Sequence, residues 1–345
     1  MDLLTHALAS FAIVRAFFPR AGKLVTASAV LAGCLADLDW LSIYAGAPVF
    51  FSWRYTYLHT VLVAIALPLA VLVLALVASF FAAKERAQTS GAAAVHFKLS
   101  ALLFASILTA LLHLAMDTCQ STGVMLFWPF TTKRYALDWL PALDLWLLTI
   151  LLLTIAIPEL LALVSSEIGA KSKKPRGQTG AFIGLSLLVL YVGARATLHT
   201  NAVSLLDSRV FRGEAARRAA AYPEALSLTT WHGIAETASA LDQIDVNLAS
   251  TSTFDPDASL RLFKPESSPA LDAARDTPLA RRFLSVAQLP KASVEKTDVG
   301  YVVILRDLRY AASGQTQNEV AALIELDPDA KVTSQELVWA RDLRR

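Results

Sequence analysis

Apolar and polar positions follow two different rhythms along this chain. Through roughly the first two hundred residues, long apolar runs are separated by short polar breaks. Such runs predict helices at 7–18, 24–46, 57–83, 100–119, 144–164 and 180–198. The first is short for a full membrane crossing, and Pro68 is expected to kink the third. After Thr200 the rhythm changes. LDSRVFRGEAARRAAAY, 206–222, reads as a basic amphipathic helix. Beyond Pro223, LDQIDVNLAS, SLRLFK, YVVILRDLRY and EVAALIELD alternate with period two and read as strands, four or five in all. PLARRFLSVAQLP reads as a short helix between proline breakers. The expected fold is an all-α polytopic membrane helical bundle, residues 1–199, followed by a soluble α+β C-terminal domain, residues 200–345.

Composition agrees with a chain that is partly membrane. Hydrophobic residues make up 55% of 345, and the mean hydropathy is +0.49. The formal net charge of +2 gives no bulk attraction to nucleic acid. Cys34 and Cys119 both sit in apolar runs and build no disulfide framework. The start, MDLLTHALAS, lacks a basic region ahead of its apolar run and does not read as a cleaved signal peptide. P-loop, GxGxxG, HExxH and GxSxG contexts are all missing from the sequence.

Charge in the breaks orients the spans. Arg15, Arg20 and Lys23, then Lys84, Arg86 and Lys98, then Lys171, Lys173, Lys174 and Arg176 mark alternate loops. By the positive-inside rule these are cytoplasmic. The loops 45–57 and 120–143, and everything after about 199, are then expected on the outer, periplasmic side of the inner membrane. Lys133 and Arg134 oppose this but are outnumbered.

On that topology the polar residues of the apolar runs fall at one level. His6 precedes the first helix, Asp37 and Asp39 end the second, His59 opens the third, and His113 and Asp117 close the fourth. Ionisable groups at membrane depth are costly and by default mark function. His113 and Asp117, four apart, share a helix face. That pair could also serve only to hold two spans together. Three imidazoles and three carboxylates at one depth supply donors for a hydrolytic metal, zinc first, manganese or iron otherwise. Such an ion activates water, and Asp37 or Asp39 could take the proton. Arg54, Lys133 and Arg134 suit an anionic group of the substrate.

The order Thr5–His6, then Ala-Asp-Leu-Asp at 36–39, then Arg54 with His59–Thr60, then His113-x-x-x-Asp117 with Gly123, Leu126, Pro129 and Phe130 resembles the membrane-bound metal-dependent hydrolases of the YdjM/YbcI type. Asp144 matches a further aspartate that this family places before its next span. The match departs at Ala36, where the family has proline, and at Arg54, which stands at the offset of a family histidine. The resemblance covers about 1–150 strongly and the C-terminal part weakly, through WHGIAETASALDQIDVNL and VILRDLRY. The family is grouped with zinc-dependent phospholipase C and related nucleases. The resemblance therefore implies phosphoester hydrolysis on a membrane lipid or lipid-linked substrate. Three other readings compete. A glycosyltransferase-like enzyme would use Asp37 and Asp39 without the histidines. A scaffold would need no metal. A transporter would need polar residues through the full membrane depth, and here they cluster at one end.

Overall fold

The computed structural model describes residues 1–88, 99–167, 175, 177–250, 254–312 and 319–344. Its N-terminal region is helical: α1 Leu3–Phe17, α2 Lys23–Ala32, α3 Ala47–Trp53, α4 Val61–Gln88, α5 Leu99–Thr118, α6 Leu145–Glu167 and α7 Gln178–Asp207. Among the described residues α5, Leu145–Leu163 of α6, and α7 are long and apolar enough to cross a membrane. A fourth candidate is α2 together with a 3-10 helix at Leu35–Ala45, bent by 44° at the break. α1 and the Val61–Leu74 stretch of α4 are apolar but shorter. Lys98, Lys171, Lys173, Lys174 and Arg176, which carried much of the orientation argument, lie outside the described residues.

The helices meet along small residues, as helices in lipid do. α1 buries Thr5, Ala9, Ala12, Ile13 and Ala16 on one side. α5 buries Leu102, Ala105, Thr109, His113 and Met116, a stripe at helical spacing. Thr109 Oγ1 donates to the Ala29 carbonyl of α2 at 2.7 Å, tying those two helices. Arg15 of α1 pairs with Glu159 of α6.

Four sequence expectations change. His6 does not precede the first helix. Asp2 caps α1 by accepting from Thr5 N at 2.9 Å, so the helix begins at Leu3 and His6 lies inside it. The run 24–46 is not one helix but breaks at Gly33–Cys34. α7 continues past 198 to Asp207, because its last turns are buried by β structure instead of ending at the membrane. The helix expected over 206–222 does not form. Arg212 and Gly213 have positive φ, 50° and 87°, and turn a hairpin between β1 Val210–Phe211 and β2 Glu214–Ala215. The alanines that favour a helix there are drawn into β3 Arg218–Pro223, where pairing with a neighbouring strand outweighs propensity.

The β region holds two antiparallel four-stranded sheets. One, in the order β3–β4–β5–β6, contains β4 Thr230–Glu236, β5 Ala240–Asn247 and β6 Leu260–Phe263. The other, in the order β10–β9–β8–β7, contains β7 Pro290–Thr297, β8 Gly300–Asp307, β9 Val320–Leu326 and β10 Val332–Trp339. Helices α8 Pro269–Arg275 and α9 Pro278–Val286 pack on the second sheet, and the short α10 Leu308–Ala312 follows β8. The fold is thus a helical membrane region followed by an α/β plait.

Two elements join the regions. The C-terminal turns of α7 bury Ala202 and Leu206 against Trp231, Ala221 and Val246. Gly233 on β4 allows this, since a Cβ there would meet Leu206 at 2.8 Å. Phe50 and Ala47 of α3 join Leu271, Phe283, Leu305 and Ile324 in the core of the second sheet.

Candidate metal centre

α1, the 3-10 helix, the turn before α4, and α5 each deliver a polar side chain to one point. Asp117, fully buried, is the hub. Its Oδ1 lies 3.1 Å from His6 Nε2, and its Oδ2 lies 3.0 Å from His59 Nε2 and 3.4 Å from His113 Nε2. The rings of His6 and His113 stack with centroids 3.8 Å apart. Gln120 donates to Asp117 Oδ1 at 2.5 Å, and the Met1 amine pairs with the same oxygen. Asp37 Oδ2 is 3.8 Å from His6 Nε2, and its Oδ1 is 4.0 Å from His59 Nε2. On the far side, Asp39 Oδ2 lies 2.9 Å from His59 Nδ1.

Two overlapping donor sets result. His6, Asp37, His113 and Asp117 offer ligand atoms all within 4.8 Å of one another, and so do Asp37, Asp39 and His59. Asp37 belongs to both. The break between α2 and the 3-10 helix makes this sharing work. At three residues per turn, two aspartates two apart point to different neighbours, and here Asp37 reaches toward α1 while Asp39 turns to His59.

The donor chemistry fits a divalent ion. His113 Nδ1 lies 2.8 Å from the Gly33 carbonyl. A carbonyl only accepts, so Nδ1 carries the hydrogen and Nε2 keeps its lone pair toward Asp117. His113 Nε2, His6 Nδ1, both ring nitrogens of His59, Asp37 Oδ2 and Asp117 Oδ2 are buried without a hydrogen-bond partner. The His59 nitrogens have carboxylates at 2.9 and 3.0 Å, yet the angles make no hydrogen bond. Buried polar groups rarely go unpaired, and His113 Nε2, His59 Nε2, Asp37 Oδ2 and Asp117 Oδ2, drawn together in one cluster, ask for a shared cation. Gly33 is needed here, because a Cβ would run into Ser10 and Thr109 and push its carbonyl off His113.

Arg54 lies against the carboxylate pair. It contacts Asp39, reaches Asp37 Oδ1 at 3.4 Å, and donates to Tyr55 Oη at 2.9 Å. Burial works against its charge, but Tyr55, Asp39 and Asp37 outweigh it and hold the guanidinium above its ordinary range. Its Nε has no partner. Tyr55, at φ 59°, turns its N–H onto Asp39 Oδ2 at 2.8 Å. A non-glycine residue in that region stores strain, which the aspartate contact helps offset.

The remaining expected residues separate. Arg134 is drawn in beside Arg54, donating to the Arg54 carbonyl at 3.2 Å and to Thr56 Oγ1 at 3.3 Å. Lys133 is exposed and lies over Tyr135. Asp144 is no part of the cluster. Its Oδ1 caps α6 by accepting from Trp146 N and Leu147 N, and its Oδ2 accepts from Tyr191 Oη at 2.7 Å.

Sequence reasoning missed Gly33, Gln120 and Arg309. Gln120 stands three after Asp117, which is a usable signal. Arg309, 1% exposed, reaches in from the plait and donates to the Ser121 and Thr122 carbonyls at 3.0 Å each, while Asp307 holds it at 2.9 Å. No local pattern announces a contact across 188 residues.

Comparison with known proteins places both halves. Residues 1–202 match the family model of the YdjM inner membrane protein, and residues 269–345 match that of the YfhP C-terminal alpha/beta plait domain. No curated protein and no solved structure matches the chain.

Proposed function

Because the chain belongs to the YdjM inner membrane protein family, we propose that it is a metal-dependent hydrolase cleaving a phosphoester of a lipid or lipid-linked substrate. The protein is a multi-pass inner-membrane protein. The reading rests above all on one observation: three imidazoles and three carboxylates from four separate stretches meet, and His59, His113, Asp37 and Asp117 keep buried atoms there without a hydrogen-bond partner. A glycosyltransferase-like site built on Asp37 and Asp39 would give no reason for all three histidines to converge. In this reading the site faces the outer side of the membrane, and 1–199 and 200–345 act as membrane and outer parts.

His6, Asp37, His113 and Asp117 would hold the ion, with Asp39 and His59 flanking. Nitrogen and oxygen donors suit zinc first, then manganese or iron. When bound, the ion supplies polarisation of a phosphoryl oxygen and lowers the pKa of water toward neutrality. The protein supplies the rest. Gly33 fixes the tautomer of His113. Asp39 is held from both oxygens by Arg54 and Tyr55 N, so it would orient its neighbours. Asp37 borders the open cavity beside the cluster, so a carboxylate oxygen that it does not give to the ion would be the base for the attacking water. Arg54, which lines the same cavity, would face the phosphate charge.

The test is metal content by inductively coupled plasma mass spectrometry, read beside turnover of bis-p-nitrophenyl phosphate. The His113→Ala, Asp117→Ala double variant should lose both. Unchanged metal stoichiometry in that variant sinks the assignment.

A further inference from the structure

A cavity of about 500 Å³ adjoins the cluster. That is within the range of about 300–1,000 Å³ typical of small-molecule sites. Asp37 and Arg54 belong to its wall, so it reaches the proposed chemistry. Most of the remaining wall is apolar: Leu3, Leu38, Leu41, Leu143 and Trp40 among others. The leucines are also surface residues, 57%, 53%, 58% and 46% exposed in that order. The cavity therefore opens on an apolar surface. Leu38 and Leu41 sit on the 3-10 half of the bent candidate span, and Leu3 starts the apolar α1. In water that rim would be a liability, whereas in a bilayer it is a doorway.

Charge selects the occupant. Arg54 and the carboxylates of Asp2 and Asp37 line this space, and most of the remaining wall is apolar. An amphiphile with a charged headgroup meets both the polar end and the apolar wall. We propose that this cavity is a phospholipid site entered sideways from the bilayer, with an acyl chain along Leu38, Leu41 and Leu143 and the headgroup phosphate at Arg54. Binding needs only the cavity. That the bound lipid is also the substrate rests on the hydrolase reading above.

The experiment uses the full-length, metal-loaded protein in nanodiscs containing phosphatidylglycerol with a diazirine on one acyl chain. Irradiation and peptide mapping should place label at 38–41 and at Leu143, and a long-chain alkyl phosphate should compete where inorganic phosphate does not. Label confined to the lipid-facing sides of α5–α7 overturns the proposal. Leu41→Trp fills the cavity from an exposed position, with metal content as the check on folding. Label at Leu143 should drop by about tenfold, and so should the ratio of long-chain to short-chain phosphodiester turnover. If that ratio is unchanged and the label persists, the cavity assignment fails and the hydrolase reading stands. If the metal-loaded wild type turns over neither ester, the hydrolase reading fails, and the label alone decides the cavity.

Discussion

Arg309→Ala asks whether the plait helps to build the metal centre or merely sits beside it. Arg309 donates to the Ser121 and Thr122 carbonyls, in the turn that directly follows Gln120 and its bond to Asp117. Removing one partner of a buried ion pair costs about 3–5 kcal/mol. Asp307 would keep three backbone donors, from Gln288, Leu289 and residue 309 itself, so its own charge stays solvated by the protein and the lower end applies. The two freed carbonyls each add about 1 kcal/mol or more if they remain dry. The loss should appear as earlier thermal unfolding in detergent. The more telling readout is metal affinity by chelator competition, which should weaken by about tenfold, the lower end for a group that orients a ligand indirectly. Arg309→Lys keeps the charge but cannot fork to two carbonyls and a carboxylate, so it should fall between the two. A folded Arg309→Ala protein that binds metal as tightly as wild type would refute the reasoning.

Three further expectations follow from the same geometry. Gly33→Ala should weaken metal binding by about ten- to a hundredfold with His113 intact, because the displaced carbonyl no longer fixes the ring; equal affinity would exclude a tautomer-setting role. Arg54→Ala should increase the divalent ions bound per chain, since a buried cation leaves the Asp37–Asp39–His59 set; mass spectrometry showing no change would count against competition for that set. Burial pushes the Asp138 carboxyl up to about 6, with Arg309 and Ser121 opposing. The folded state then binds the proton more tightly than the unfolded chain, so this group lowers stability as pH rises from about 4 through about 6. Asp138→Asn tolerates the positive φ of 58° and should flatten that part of the stability profile; an unaltered profile between those pH values would rule Asp138 out.

The six clustered residues are legible in sequence because polar groups inside apolar runs have so few places to go. α5 and four of the strands are legible for a similar reason, since burial imposes a period. What stays hidden is whatever a distant partner decides. α3 looks like a loop until Phe50 is seen in the core of the second sheet. The stretch 206–222 carries helical residues, yet Arg212–Gly213 reverses it and β4 recruits it. β4 itself hides because Gly233 interrupts its alternation, and that glycine is there to admit Leu206. Asp144, outside the cluster, caps α6 and accepts from Tyr191, a contact no local pattern announces.

α7 has one more consequence. Its 30 residues give a rod of roughly 45 Å at about 1.5 Å per residue, against a hydrocarbon slab of about 30 Å. Something like a third of the rod must stand clear of the lipid, and that upper part is the part locked into the first β sheet. Arg195, bonded to the Trp139, Ser227 and Leu228 carbonyls, braces it at the collar. The plait therefore rides on a post and not on a tether. Helix geometry sets its height above the bilayer, and no search through linker conformations is needed to bring it down onto the loops that carry Asp117's neighbours.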